Sequence, residues 1–156
     1  MKPAPSVRLR QARSADIPAM SAIRLSVREN VLSDPARVTL QMYEDYLERG
    51  GRGWVAEIDG AVAAFCYADR HRGSIWALFV DPACEGRGLA KRLLALAVEW
   101  LFALGHARIT LGTAPGTRAD RFYAAQGWIR MPGEGREVDY VLERPTKTRS
   151  SETDQR

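Results

Sequence analysis

The order of periodic apolar segments along these 156 residues predicts an α/β single domain. It would carry a mixed, mostly antiparallel twisted sheet flanked by about four helices, in the order βααβββαβαββ. Three observations predict it. Two period-two runs meet at an Asp-Gly turn, a long stripe at helical spacing follows a glycine-rich loop, and no internal repeat or interdomain linker interrupts the series. A chain of this length buries about 68–70% of its unfolded surface, so neither metal nor disulfide is needed to hold it.

Val7–Ala12 alternates apolar and polar residues, as a half-buried strand does. Ser14 suits an N-cap for a helix that carries Ile17, Met20, Ile23, Leu25 and Val27 and stops at the polar break Arg28-Glu29-Asn30. A second helix fits Val38, Leu40, Met42, Tyr43, Tyr46 and Leu47, with Gly50-Gly51 ending it. The period then changes to two. Trp54–Ile58 and Ala61–Tyr67 read as a hairpin around Asp59-Gly60, the pair that a type I′ turn favours. Ile75–Val80 is nearly continuously apolar, as a strand buried on both faces would be, and Asp81-Pro82 stops it. After Gly86 and Gly88 comes a helix with Leu89, Leu93, Leu96, Ala97, Trp100, Leu101 and Leu104 on one stripe, closed by Gly105. Arg108–Leu111 is a strand and Thr113–Thr117 a loop. Arg118–Gln126 is a short helix ending at Gly127, and Trp128-Ile129 and Val138–Leu142 are two last strands around a turn at Met131–Gly135. Residues 1–144 make the domain, and 145–156 form a polar tail expected to be disordered.

The net charge of +4 points at first to a nucleic-acid partner. Its distribution argues otherwise. The two chain ends are basic, residues 14–69 hold five bases and nine acids, and residues 70–121 hold eight bases and four acids. The basic segment available to a site is therefore 70–121. No apolar run approaches the ~18–20 residues of a membrane span, and the start MKPAPSVRLRQARS has no apolar core of a signal peptide, so a cytoplasmic protein with neither membrane nor nucleic-acid partner is expected. Cys66 and Cys84 form no CxxC pair and His71 and His106 stand alone, which predicts no metal site. Cys66 reads as a buried strand residue, and Trp54, Trp76, Trp100 and Trp128 read as core rather than as a stacking platform.

The stretch Val80-Asp81-Pro82-Ala83-Cys84-Glu85-Gly86-Arg87-Gly88-Leu89-Ala90 joins a strand to a helix N-terminus. Free backbone N–H groups and the positive end of the helix dipole converge there, so a pyrophosphate can be held without dedicated side chains. Gly86 and Gly88 permit close approach, Arg87, Lys91 and Arg92 add positive charge, and Arg118 belongs to the same basic block 70–121. The alternative is an ordinary tight connection with solvated basic residues. It is not Walker A, since no Gly-Lys-[Ser/Thr] ends it.

Ile75–Leu94 resembles motif A of the GNAT superfamily of acyl-CoA-dependent N-acyltransferases, whose loop runs Arg/Gln-x-x-Gly-x-Gly/Ala; here it is Glu85-Gly86-Arg87-Gly88-Leu89-Ala90. Arg118–Trp128 resembles that family's Ala-x-x-x-Tyr-x-x-x-Gly-Phe helix, and the element order from Val7 to Leu142 is similar to its fold. The resemblance implies acetyl-CoA as cosubstrate, a small-molecule or peptide amine as acceptor, and a homodimer among the assemblies to consider. It implies that backbone groups of Leu78 and Val80, with Phe79 between them, hold the pantetheine arm and polarise the thioester carbonyl. It implies that amides of Gly86, Arg87, Gly88, Leu89, Ala90 and Lys91 hold the pyrophosphate, and that Tyr123 is the general acid. The bland reading of Tyr123 is a packing residue on an amphipathic helix. Two residues depart from the pattern. Glu85 replaces the usual Arg or Gln, and Gly116 stands where many members carry an Asn that contacts the cofactor arm. Leu111 occupies the place of a Glu that serves as base in some relatives, which leaves Glu29 as the candidate base, then Asp69 and Glu57, or a water chain. A non-catalytic acyl-CoA-binding module on the same fold and a nucleic-acid-binding protein are the other readings.

Overall fold

The alternation at the start of the chain forms strand β1 (Val7–Gln11), which pairs antiparallel with β2 (Gly51–Ile58). The computed structural model describes residues 6–26, 49–132 and 137–145. Between these strands lies helix α1 (Ile17–Ser26), introduced by a 3-10 turn at Ser14–Asp16. Ser14 does not cap it. Ser14 lies inside that 3-10 turn, and the Asp16 carboxylate reaches back to accept the Arg13 N–H at 2.8 Å, the capping-box bond of the turn that leads into the helix. The second helix expected over Val38–Leu47, the polar break at Arg28–Asn30 and the tail from 146 onward lie outside the described residues.

Gly51, read from the sequence as part of a helix terminator, instead begins β2. A Cβ there would lie 1.8 Å from the Ala68 carbonyl oxygen, so only glycine fits this strand contact. Strand β3 (Ala61–Asp69) follows through the expected turn, where Asp59 and Gly60 take φ of 51° and 85°, the left-handed pair of a type I′ hairpin. Then come β4 (Ser74–Val80), α2 (Leu89–Ala103), β5 (Arg108–Thr113), α3 (Arg118–Ala125), β6 (Ile129–Pro132) and β7 (Val138–Glu143). The sheet has seven strands in the order β1-β2-β3-β4-β5-β7-β6. Every neighbour is antiparallel except β4 and β5. The α/β class and the mixed, mostly antiparallel sheet are thus as expected, with three α-helices among the described residues.

Each face of the sheet buries its own cluster. Trp54, Ala56, Ala64, Cys66, Ile109 and Tyr140 on one face meet Leu89, Leu93, Ala97 and Leu101 of α2. On the other, Val55, Phe65 and Tyr67 meet Ile17, Met20 and Ile23 of α1. The alternation along β2 and β3 therefore feeds two cores, which explains why these central strands are almost wholly buried. The tryptophans divide: Trp54 and Trp128 are buried, whereas Trp76 and Trp100 are half-buried. Trp100 packs edge-on to Trp54 at 5.6 Å and carries the Arg52 guanidinium over its ring at 5.0 Å.

Strand β4 corrects an expectation. Ile75 and Ala77 are buried, but Leu78, Phe79 and Val80 are only partly so. The reason is the neighbour it lacks. β4 and β5 share a single registered pair, Ser74 with Thr110, and then diverge, leaving the C-terminal half of β4 uncovered along one edge.

Candidate functional site

A bulge decides what that open edge presents. Tyr67 pairs with Ala77 and Ala68 with Ile75, so Trp76 is an extra residue on β4. At the start of the strand the Gly73 carbonyl accepts from Thr110 N–H at 3.1 Å, facing β5. At its end Asp81 N–H donates to the Ala63 carbonyl at 2.8 Å, facing β3. Without the bulge, residues of the same parity would face the same neighbour. The inserted residue reverses the alternation, so past Trp76 the backbone groups of Leu78 and Val80 are the ones aimed at the gap.

Beyond Val80, Asp81 closes a 3-10 turn over Pro82–Cys84 by accepting the Ala83 N–H at 3.0 Å. Gly86 and Gly88 then take φ of 83° and 78°, which turns the chain into α2. The N-cap Gly88 has no side chain to cap with. The first bond back into the helix runs from Arg92 N–H to the Gly88 carbonyl at 3.2 Å, so the N–H groups of Leu89, Ala90 and Lys91 precede any intrahelical acceptor. Across the gap, Thr117 caps α3 by accepting the Asp120 N–H at 3.2 Å.

These elements enclose a cavity of about 240 Å³. Its wall contains every one of Leu78, Phe79 and Val80, and Gly86, Arg87, Gly88, Leu89, Ala90 and Lys91. Tyr123 completes it from α3, next to Phe122 and Ala119. Residues from three separate stretches of sequence are thus brought to one place. Gly116 is not in the wall; its N–H goes to the Asp120 carboxylate at 2.8 Å. Glu29 lies outside the described residues. Glu57 and Asp69 are not in the wall either. Glu57 accepts from Arg10 Nε at 3.0 Å, and Asp69 caps the next turn by accepting the N–H groups of His71 and Arg72. Leu111 is buried in the core.

Tyr123 is 6% exposed and packs among Phe122, Trp128 and Tyr140, with ring centroids 5.2, 5.8 and 5.7 Å away. Burial pushes its phenol above its usual range, with the Cys66 thiol adding to the effect, so it stays protonated at neutral pH. Burial likewise pushes the Cys66 thiol up, which leaves it a poor nucleophile.

Sequence reasoning missed one residue here, Asp120, and the partner of another, Glu85. Asp120 is buried, and its carboxylate accepts from Arg130 Nε at 3.1 Å, from the Tyr140 hydroxyl at 2.5 Å and from the Gly116 N–H. It ties the first turn of α3 to β6 and β7 and so fixes the helix that carries Tyr123. The one signal was a charged residue three before that tyrosine on its inward face. Glu85 also has a partner: Arg118 Nη1 donates to it at 2.8 Å across the mouth of the cavity.

The Arg130 guanidinium, then the Tyr140 hydroxyl, hold Asp120 well below the usual carboxylate range, and the hydrogen bond from Arg10 lowers Asp16. Both folded-state values lie below the unfolded value of about 3.9. The stability they supply is therefore present above that value and lost as the pH falls through the folded ones. Urea midpoints should drop steadily from pH 5 to pH 2. Asp16→Asn should be less stable than the parent at pH 6 and change less over that interval; equal slopes for the two proteins would remove Asp16 from the acid response.

Residues 18–128 match the family model described as the Acetyltransferase (GNAT) family. No curated protein sequence matches the chain. Among solved structures, an acetyltransferase of the GNAT family from Staphylococcus aureus Mu50 superposes with a TM-score of 0.76 at 18% identity, covering 88% of this chain and 99% of that one. The protein yncA from Salmonella typhimurium, solved with its cofactor acetyl-CoA, gives 0.69 at 21% identity over 90% and 95% of the two chains. The PaiA N-acetyltransferase of Thermoplasma acidophilum, in complex with coenzyme A, gives 0.74 at 14% identity over 89% and 99%. At these identities the likeness is one of fold.

Proposed function

The chain belongs to the acetyltransferase (GNAT) family, and on that premise we propose that it is an N-acetyltransferase that moves the acetyl group of acetyl-CoA to an amine by direct attack in a ternary complex. The observation that carries this reading is the cavity itself, in which an open strand edge, an uncapped helix N-terminus and a protonated phenol face one space. The ligands named for the Salmonella and Thermoplasma structures support it.

Acetyl-CoA supplies an acetyl group already activated as a thioester. Leu78 and Val80 offer the edge of β4 to the pantetheine arm in the manner of an added strand, and an N–H of this edge polarises the thioester carbonyl. The amides from Gly86 to Lys91 hold the pyrophosphate at the dipole end of α2, with the Arg87 and Lys91 side chains beside it. The donor set fits because those N–H groups lack helical acceptors. The acceptor must first lose a proton, since an alkylammonium has a pKa of about 10.4; Glu29 is proposed as the group that takes it. The neutral amine nitrogen then bonds to the carbonyl carbon and the C–S bond breaks. Tyr123 donates its hydroxyl proton to the departing thiolate and regains one from the acetylated nitrogen through solvent.

The buried Leu111, where some relatives have a base, favours a second reading, a non-catalytic acyl-CoA-binding module. A thermal scan and a thiol-release assay over an amine panel separate the two. Acetyl-CoA at 100 times its Kd should stabilise the fold by about 2.7 kcal/mol, and at least one amine should release free thiol. Stabilisation without thiol release from any amine would favour the module, and no stabilisation would overturn the cofactor assignment.

A further inference from the structure

Glu85 is the one carboxylate among the described residues that line the cavity, and it stands at the start of the loop assigned above to the pyrophosphate. Alone it would repel that group. It is instead joined to Arg118, 33 residues further on, which reaches over from the opposite wall. Arg118 is the first residue of α3, where the helix dipole disfavours a cation unless an anion sits beside it. Both side chains are substantially open to solvent, 58% for Arg118 and 37% for Glu85, so the pair is weak and exchangeable. A phosphate oxygen is a stronger partner for a guanidinium than an exposed glutamate is, because two of its N–H groups can bond one phosphate at once.

Resting on the acetyl-CoA reading, we propose that Arg118 exchanges Glu85 for a phosphate of the coenzyme, and that Glu85 competes for Arg118 so as to weaken the hold on the spent cofactor. The pair is a clasp between the two walls of the cleft. Closed on itself, it neutralises both charges and keeps the mouth bridged. Opened by the phosphate, it gives the cofactor one more cation and leaves Glu85 as an unpaired carboxylate beside an anion, which hastens release. Arg87 and Lys91 already line the wall with the clasp closed.

Calorimetric titration of the parent, Glu85→Gln, Arg118→Gln and the double variant tests this, with circular dichroism to show that each is folded. Three probes are used: coenzyme A, dephospho-coenzyme A lacking the 3′-phosphate, and S-acetylpantetheine, which has no phosphate. Glu85→Gln should tighten coenzyme A, and Arg118→Gln should weaken it, each by about tenfold, the scale of one charge-assisted hydrogen bond. Neither should alter S-acetylpantetheine. An Arg118→Gln effect that persists with dephospho-coenzyme A assigns the pyrophosphate, and one that disappears assigns the 3′-phosphate; either supports the exchange. Coenzyme A binding by the parent that neither substitution changes, or that Glu85→Gln weakens, would overturn the clasp alone. No binding of coenzyme A by the parent would overturn the cofactor reading and the clasp with it.

Discussion

Tyr123→Phe should lower the rate of acetyl transfer by about 100-fold or more while leaving the Kd for acetyl-CoA within about threefold. General acid catalysis contributes on the order of 10²–10⁴ to such steps. The hydroxyl is the only group removed, and the ring keeps its packing against Phe122, Trp128 and Tyr140. Single-turnover thiol release reads the first quantity and calorimetry the second. Because burial raises the phenol further, Tyr123 remains a proton donor through the alkaline range. The rate should therefore show no fall between pH 7 and 9 that tracks ionisation of this residue. Equal turnover by parent and variant would confine Tyr123 to packing.

Leu93→Ala should cost about 2–5 kcal/mol of stability, the range of buried leucine truncations in well-packed cores. For a chain of this length that is roughly 5–15 °C in Tm. Leu93 is fully buried beneath α2, where it meets the face of the sheet that carries Ala64 and Cys66. Denaturant unfolding measures the loss. A cost below about 1 kcal/mol would mean that α2 is not seated on the sheet at this point, and with it that the loop in front of the helix is not anchored from behind.

The parts of the fold that local chemistry specifies were readable in advance. Asp59-Gly60 is a turn because two left-handed residues are needed in succession, and the stripe Leu89–Leu101 is a helix because its apolar positions recur at 3.6 residues. Features set by a distant neighbour were not. Gly51 looked like the end of a helix because nothing near it in sequence reveals the Ala68 carbonyl pressed against its α-carbon. The apolar run Ile75–Val80 suggested burial on both sides, since the parting of β4 from β5 leaves no trace in the composition of either strand. The same holds around the cavity. The glycines of the loop and the tyrosine motif were recognisable as patterns, whereas the partners of Glu85 and Asp120 depend on chain segments that only the fold brings together.

The single extra residue at Trp76 gives β4 a property that no side chain supplies. Counting, rather than chemistry, decides which amides look into the cleft. A substitution at Leu78 or Val80 leaves their backbone groups in place, while a residue inserted between Ala77 and Leu78 would turn them inward toward β3 and aim Phe79 outward. The cleft is therefore tolerant of changes in residue type along this strand and intolerant of residues added beyond the bulge, the reverse of what holds for most surface loops.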